Sequence, residues 1–338
     1  MVTILISPPR KDLNSRAVFA LWSLASLVII ICASSAQSKH TRLYACVLAD
    51  NTPGNFLGAS SLGSGLWISD DTGKTWNHIG WKHGKTYSVE IPKYGNGNTI
   101  FLARGDGLLR TTDGGLTWKM LTDWRHSEVI DVSALEANPG FLIITTPQGI
   151  WRSLDSGETW EKLTKGVESR FATRIRFHPQ FPNRMAAATE KGLFTSNDRG
   201  ESWRLSGSDS AAMYDVRYTS DFRLLWVGDK GVVQGEKMYP LYYEDFVGKM
   251  WSIEELKDRY AICGPRGVYV VSDRDVDPIE FDKTIKDPYT LCSVGDMLFI
   301  GTLGWGIYKA DVSGKSPKML GTVLPNAEVW TIRKADIE

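Results

Sequence analysis

Apolar residues occur along this chain in short runs that are separated by Gly, Asn and Asp. Between residues 86 and 121 the successive runs are TYSVEI, NTIFLA, LLRTT and TWKML, and the turn DGG separates the last two. Short runs of this kind, bounded by turn residues, indicate β-strands. No segment after residue 37 shows sustained helical periodicity, and residues 242–258 come nearest to it. The pattern predicts an all-β protein.

The four-strand unit recurs along the chain. Four copies align without gaps and begin at Gly65, Gly107, Gly149 and Gly192, with spacings of 42, 42 and 43 residues. Three weaker copies begin at Gly231, Gly267 and Gly306. A period of about 40 residues is typical of a four-stranded propeller blade. The sequence therefore predicts a single seven-bladed β-propeller over residues 38–338. EVWTIRKAD (328–336) is either an appended edge strand or a strand that pairs with the first repeat and closes the ring, and closure is favoured because it removes exposed edges.

Each of the four strong copies carries the motif S/T-x-D-x-G-x-T/S-W. Its positions are Ser69, Asp71, Gly73, Thr75, Trp76; Thr111, Asp113, Gly115, Thr117, Trp118; Ser153, Asp155, Gly157, Thr159, Trp160; and Ser196, Asp198, Gly200, Ser202, Trp203. This motif resembles the Asp-box, or bacterial neuraminidase repeat. With the weaker copies, the resemblance covers roughly residues 42–324.

The chemistry of the motif predicts a structural role. An Asp side chain accepts hydrogen bonds from backbone N–H groups two residues ahead and closes a turn. Gly supplies positive φ at that turn, and the following Trp has a large apolar face to fill the gap between blades. The resemblance also implies that these turns lie on the face away from any active site. We therefore expect the motif residues to serve folding.

The N-terminal segment 1–37 differs from the rest of the chain. Arg10, Lys11 and Arg16 precede an apolar run from Ala17 to Cys32, and ASSAQS follows. This order is typical of a signal peptide, and the run is short for a membrane span of roughly 20 residues. The segment predicts either a cleaved signal peptide or an uncleaved anchor, so the propeller is expected to be secreted, periplasmic or otherwise extracytoplasmic.

Charge and cysteine content exclude some function classes. Lys plus Arg and Asp plus Glu both number 39, so no overall field attracts nucleic acid or an anionic membrane. The five histidines show no paired ligand spacing, and no metal or other cofactor is expected.

After residue 37 the cysteines are Cys46, Cys263 and Cys292. We place Cys46 and Cys292 on innermost strands of the first and last blades, where one disulfide is conceivable, but buried free thiols are the favoured interpretation.

The Asp-box resemblance implies that ligands meet the face formed by the loops from fourth to first strand and from second to third strand, here called the loop face. Trp, Tyr and Arg are enriched in protein-binding hot spots, and flat aromatic faces also suit sugars. The predicted ligand-binding residues on this face are Trp81, His83, Trp124, Arg125, His126, Arg170, Tyr243, Asp245, Arg266 and Trp305. The same loops also contain Tyr87, Trp251 and Trp330, for which burial where inner strands begin is the alternative to ligand contact. In the basic segment RFATRIRFHP (170–179), strand alternation is expected to split the charges between two faces.

Two functions are compatible with this sequence. The first is a non-catalytic binding or scaffolding propeller for a protein or glycan partner. The chain resembles exported propellers such as photosystem assembly factors and the luminal propellers of sortilin-type receptors. The alternative is a glycoside hydrolase or sialidase-like enzyme, which would need two carboxylates about 5–10 Å apart. Its candidate carboxylates are Asp131, Asp215, Glu244 and Asp245.

The hydrolase families that share the motif differ from this chain in two respects. Sialidases have six blades and an early Arg-Ile-Pro, whereas VEIPKY (89–94) has Glu90 in place of that arginine. Xyloglucan-specific glucanases resemble the chain in their boxes, but they use a cleft between two propellers. Both departures favour the binding function, and the sequence leaves the ligand and the oligomeric state open.

Overall fold

The computed structural model describes residues 40–50, 63–82, 84–167, 171–207, 211–229, 231–234, 248–271, 276–278, 285–314 and 317–337. The propeller unit is His40–Ile337. The predicted signal or anchor segment, 1–37, lies outside the described residues. Among the described residues, no helix is long and apolar enough to cross a membrane.

The described residues form seven antiparallel sheets, which we number in chain order. Sheet 1 contains β1 (His40–Asp50), β2 (Gly65–Ser69), β3 (Asn77–Ile79) and the last strand of the chain, given below. Sheet 2 contains β4 (Thr86–Glu90), β5 (Ile100–Arg104), β6 (Gly107–Thr111) and β7 (Lys119–Met120). Sheet 3 contains β8 (Asp131–Ala134), β9 (Leu142–Thr146), β10 (Gly149–Ser153) and β11 (Glu161–Leu163). Sheet 4 contains β12 (Ala172–Phe177), β13 (Met185–Thr189), β14 (Gly192–Ser196) and β15 (Arg204–Gly207).

The remaining sheets continue in the same way. Sheet 5 contains β16 (Met213–Tyr218), β17 (Leu224–Gly228) and β18 (Gly231–Gln234). Sheet 6 contains β19 (Ser252–Glu255), β20 (Tyr260–Gly264), β21 (Gly267–Val271) and β22 (Val276–Pro278). Sheet 7 contains β23 (Pro288–Val294), β24 (Met297–Thr302), β25 (Ile307–Asp311) and β26 (Lys318–Val323), and β27 (Ala327–Ile337) completes sheet 1. Short 3-10 turns occupy Lys93–Gly95 and Trp124–His126.

The sheets follow one another around a central channel. The innermost strands contact each other in the cyclic order β27, β4, β8, β12, β16, β19, β23 and back to β27. The chain is therefore an all-β β-propeller with four-stranded blades. Six sheets have four strands each, whereas sheet 5 has three among the described residues. The prediction of seven four-stranded blades holds for six sheets, and a complete seventh blade stays a prediction.

The C-terminal strand closes the ring. β27 pairs antiparallel with β1, from His40 opposite Ile337 to Asp50 opposite Ala327. The expected closure is therefore confirmed, and it corrects the placement of Cys46. Because β27 is the innermost strand of sheet 1, Cys46 lies on the second strand, while Cys292 lies on the innermost strand of sheet 7. All three described cysteines are buried free thiols, as expected.

The core lies between neighbouring sheets. Middle strands such as β5 and β9 are buried along their whole length, because both of their faces pack against adjacent sheets. Phe101 and Leu108 of sheet 2 belong to one apolar cluster with Val132, Leu142 and Ile144 of sheet 3. Burial of these apolar faces between stacked sheets is the main stabilising contribution.

The motif turns lie between the third and fourth strands, as predicted. Asp71 Oδ1 accepts hydrogen bonds from the backbone N–H groups of Lys74 and Thr75, each at 2.9 Å. These donors lie three and four residues ahead, so the expected offset of two is wrong. Ser69 Oγ donates to Asp71 and accepts from Gly73 N at 2.9 Å. The hydroxyl and amide donors of Thr75 lower the pKa of Asp71 to about 2.

Candidate functional site at the channel mouth

Five aromatic side chains form a continuous arc at the start of the innermost strands. Every innermost strand begins at the loop face, because the preceding loop enters there from an outer strand. The ring centroids are 4.7 Å apart for Tyr214 and Trp251, 6.0 Å for Trp251 and Tyr289, 5.2 Å for Tyr289 and Trp330, and 5.1 Å for Trp330 and Tyr87. We call these five residues, from sheets 5, 6, 7, 1 and 2, the mouth arc.

Hydrogen bonds fix two of these rings, and four of the five remain partly open to solvent. The Tyr214 hydroxyl donates to Asp229 Oδ1 at 2.8 Å, and Trp330 Nε1 donates to Glu328 Oε1 at 3.0 Å. Tyr87 is buried, whereas Trp251 and Trp330 are half-buried, and Trp251 packs against the core cluster of sheets 6 and 7. The arc therefore presents ordered aromatic surface at the mouth.

A polar level lies directly below the arc. Each innermost strand contributes one polar residue to it: Ser88, Asp131, Arg174, Asp215, Ser252, Thr290 and Thr331. Arg174 Nη2 donates to Thr331 Oγ1 at 3.0 Å. Sheet 4 and sheet 1 are not neighbours in the ring, so this bond crosses the channel. Arg174 thus forms a floor beneath the mouth arc.

Negative groups balance the Arg174 guanidinium. Its Nε lies 4.0 Å from Asp215 Oδ1. Burial lowers the pKa of Arg174, but attraction to Asp131 and Asp215 outweighs that effect, so the pKa is raised and the side chain stays cationic.

The two described candidate carboxylates are engaged by neighbouring sheets. Asp131 accepts hydrogen bonds from Ser88 Oγ at 2.6 Å, from Ile175 N at 3.0 Å and from Arg176 Nη1 at 2.6 Å. Asp215 accepts from Ser252 Oγ at 3.1 Å and from Ile253 N at 3.2 Å. Because these donors come from the adjacent sheets, both carboxylates link sheets together. Glu244 and Asp245 lie outside the described residues.

Glu90 is a further carboxyl group on an innermost strand, two residues after Ser88, and its pKa is raised. It follows Ser88 on β4, and its Oε1 accepts from Ala134 N at 3.4 Å. Although part of its surface is open, enclosure by the surrounding protein raises its pKa to about 7 against the opposing effect of Arg176. A carboxyl group of this kind exchanges protons near neutral pH.

Two predicted aromatic residues flank the mouth arc on the loop face. Trp81 is 55% exposed, and its ring centroid lies 5.7 Å from Cζ of the Arg104 guanidinium. Arg104 Nε in turn lies 3.0 Å from Asp106 Oδ1. Trp305 is 43% exposed, and Lys286 Nζ lies 4.5 Å from its ring centroid. Exposed tryptophans held by cations suit contact with a partner.

The segment Trp124–His126 divides into exposed and buried residues. Trp124 is 85% exposed, and Arg125 is also exposed and binds Asp123 through Nε at 2.9 Å. His126 is only 5% exposed and packs edge-on against Trp151, with 4.5 Å between ring centroids. His126 is therefore packed between sheets 2 and 3, and its predicted contact with a ligand stays a prediction.

The other predicted site residues are distributed as follows. Arg266 is exposed in the turn between β20 and β21, where its carbonyl oxygen accepts from the Tyr269 hydroxyl at 2.9 Å. The predicted residues outside the described part of the chain are His83, Arg170, Tyr243 and Asp245. No group of three His, Cys, Asp or Glu side chains within the described ranges is placed to hold a metal ion.

Arg174 is not among the site residues predicted from the sequence. We expected alternation to divide the charges of the basic segment, but Arg174 and Arg176 are two apart on β12 and therefore share one side of the strand. The spacing of two residues between Arg174 and Arg176 is the sequence feature from which a shared side of the strand could have been predicted.

Comparison with known proteins identifies the fold. Residues 148–263 match the family model described as Sortilin-Vps10, sortilin, neurotensin receptor 3, which covers about a third of the chain. No curated protein matches the chain significantly.

Solved structures of propellers resemble the chain at low sequence identity. The GH74 xyloglucanase from Xanthomonas campestris aligns with a TM-score of 0.60 and 12% identity, over 80% of this chain and 50% of that one. YCF48 bound to D1 peptide aligns with a TM-score of 0.55 and 19% identity, over 78% of this chain and 85% of that one. A chain of the nidogen/laminin complex aligns with a TM-score of 0.54 and 10% identity, over 87% and 98%. The chain spans about half the length of the xyloglucanase. These similarities establish the β-propeller fold.

Proposed function

We propose that this chain is a non-catalytic binding propeller that holds a protein partner at the mouth arc. The observation that carries this proposal is the unbroken contact of five aromatic rings from five consecutive sheets. Aromatic side chains bury large areas on binding and lose little conformational freedom when they are already ordered. Trp81 and Trp305 extend this surface outward on the loop face.

The engaged carboxylates support binding over hydrolysis. Asp131 and Asp215 already accept two or three hydrogen bonds from neighbouring sheets. Two of the propellers that share the fold are recorded with protein ligands, namely YCF48 with D1 peptide and nidogen with laminin. By analogy of fold alone, this supports a protein partner.

Site-specific photo-crosslinking in the native host tests the proposal. A photoreactive phenylalanine analogue at Trp305 should yield a discrete protein adduct. The same analogue at Phe181 should yield none, because Phe181 lies between β12 and β13, on the face opposite the loop face, at a similar exposure of 49%. Equal adducts from both positions, or none from Trp305, would contradict the proposal.

We further propose that the ring contains seven four-stranded blades of the Asp-box type.

We also propose that residues 1–37 export the propeller. The basic residues and the apolar run of this segment support export. Determining the N-terminus of the protein from fractionated cells tests it. A start near residue 37 indicates a cleaved signal peptide, an intact N-terminus in the membrane fraction indicates an anchor, and a cytoplasmic protein contradicts export.

A glycoside hydrolase is the second candidate, because Glu90 has the raised pKa that a general acid requires. Incubating the protein with soluble polysaccharides and measuring new reducing ends tests this candidate. Hydrolysis that Glu90→Gln abolishes without unfolding the protein would favour the enzyme over the binding propeller.

A further inference from the structure

A second concave site lies on the side of the propeller, between the outer strands of sheets 2 and 3. It is a groove of about 470 Å³, within the range of about 300–1,000 Å³ that small-molecule sites occupy. We call it the lateral groove. Its lining residues are Lys119, Met120, Leu121, Thr122, Asp123, Arg125, His126, Trp151, Gly157, Glu158, Thr159 and Trp160. None of them belongs to the mouth arc.

Two indole rings in the lateral groove are held in fixed orientations. Trp151 Nε1 donates to Thr146 Oγ1 at 3.2 Å, and Trp160 Nε1 donates to the carbonyl oxygen of Leu121 at 2.9 Å. Both tryptophans are half-buried. Lys162 Nζ lies 5.7 Å from the ring centroid of Trp151, and both indoles line the groove. Because their N–H groups are already satisfied, the two rings are ordered before a ligand binds.

The histidine in the groove has one nitrogen without a partner. His126 Nδ1 lies 3.2 Å from Asp123 Oδ1, while Nε2 has no hydrogen-bond partner among the described residues. The side chain is only 6% exposed. A proton on Nδ1 would donate to Asp123 and leave Nε2 as an acceptor. An unpaired buried nitrogen is unfavourable unless a ligand or water completes it.

The charges of the groove are balanced. Arg125 pairs with Asp123 through Nε at 2.9 Å, and Lys119 Nζ pairs with Glu158 Oε1 at 2.6 Å across the two sheets. Each cation therefore already has an anion, and the groove has no net charge to attract an ionic ligand. The same four side chains offer both donors and acceptors to a ligand rich in hydroxyl groups.

We propose that the lateral groove binds a neutral oligosaccharide. One pyranose ring stacks on the faces of Trp151 and Trp160, and its hydroxyl groups bond to Asp123 and Arg125. This site is independent of the protein partner proposed for the mouth arc, since it uses different residues in a different part of the propeller.

Calorimetric titration of the full chain with cellotetraose, xylotetraose and maltotetraose tests this proposal. At least one of them should bind, and Arg125→Ala should weaken that binding about tenfold or more, since the variant removes a hydrogen bond to a charged group. Arg125 is exposed, so the variant is expected to fold normally. Leu320→Ala, at an exposed position in sheet 7, is the matched control and should bind with unchanged affinity.

Two results would overturn the proposal. One is the failure of all three tetrasaccharides to bind at millimolar concentration. The other is binding that Arg125→Ala leaves unchanged but Trp305→Ala removes, which would assign sugar recognition to the surface beside the mouth arc instead. Nuclear magnetic resonance locates the site. The indole N–H resonances of Trp151 and Trp160 should shift when the sugar binds, and the variants Trp151→Phe and Trp160→Phe assign these two resonances.

Discussion

Arg174 on β12 and Thr331 on β27 meet across the channel, with 3.0 Å between Nη2 and Oγ1. Thr331 Oγ1 in turn donates to the carbonyl oxygen of Tyr87 at 2.7 Å. This chain of bonds connects sheets 4, 1 and 2 and spans the channel below the mouth arc. A side chain from one sheet therefore supports the site formed by sheets on the other side of the ring.

Arg174→Met should lower the free energy of unfolding by about 1.5–3 kcal/mol, because it removes a charged hydrogen bond. Thr331→Val should cost about 1 kcal/mol or more, since the bond to Tyr87 is lost as well. Chemical denaturation of both single variants and the double variant measures the coupling. The double variant should lose less than the sum, and strict additivity would show that the two side chains do not interact.

Removal of the closing strand should prevent folding. A chain ending at Asn326 lacks β27, so the inner edge of β1 loses its partner and the innermost position of sheet 1 is empty, while β1 keeps its pairing with β2. We expect loss of cooperative thermal unfolding, measured by circular dichroism. A synthetic peptide of residues 327–338 added in trans should restore it, and a truncated protein that unfolds cooperatively at the original temperature would contradict the assignment of β27 as the closure.

Acid should destabilise the protein through Asp71. Its folded-state pKa of about 2 lies below the value of about 3.9 in unfolded chains. The group therefore contributes stability above about pH 4, and this contribution is lost as pH falls from about 4 to 2. Asp71→Asn should make the melting temperature less dependent on pH in that window. Asp258→Asn, at an 80% exposed side chain, serves as control and should leave the pH dependence unchanged.

Glu90 should act in the opposite direction. Its folded-state pKa of about 7 lies above the value of about 4.3 in unfolded chains. The folded protein then binds more protons between these values, so stability falls as pH rises from about 4.3 to 7. Glu90→Gln should flatten this decline, measured as melting temperature at pH 5 and pH 8. A decline of the same size in the variant would rule out Glu90 as its source.

The exposed tryptophans of the loop face should matter for binding more than for stability. Because Trp305 is replaced in this variant, the photoreactive analogue is placed at the exposed Leu303 instead. Trp81→Ala combined with Trp305→Ala should reduce the amount of crosslinked adduct formed from that position. Because both rings are about half exposed and each contacts one cation, the free energy of unfolding should change by about 1 kcal/mol or less for each. A large drop in stability would show that these residues belong to the core.

Several features of the fold were predictable because they repeat locally. The glycines at Gly65, Gly107, Gly149 and Gly192 begin the third strand of their sheets, and the motif turns follow those strands. Each such unit needs only its own residues to form strands and turns, so the spacing is preserved in the sequence. The pairing of the C-terminal segment with the first repeat was also predictable, since an unpaired edge would otherwise remain.

The site was predicted less well, because it depends on contacts between distant repeats. The aromatic residues of the mouth arc were visible in the sequence, but their ring contacts were not. The burial of His126 against Trp151 and the unpaired Nε2 depend on how sheet 2 packs on sheet 3. No local pattern records such packing.

By itself, the sequence determined the β-strand units, their period and the turns that close them, since these follow from hydrophobic alternation and turn chemistry within about 40 residues. Only the tertiary structure decided which inner-strand residues meet at the channel. Arg174 reaches Thr331, 157 residues away in the chain, because ring closure brings opposite sheets within the length of one side chain. Such a contact follows from the curvature of the whole ring.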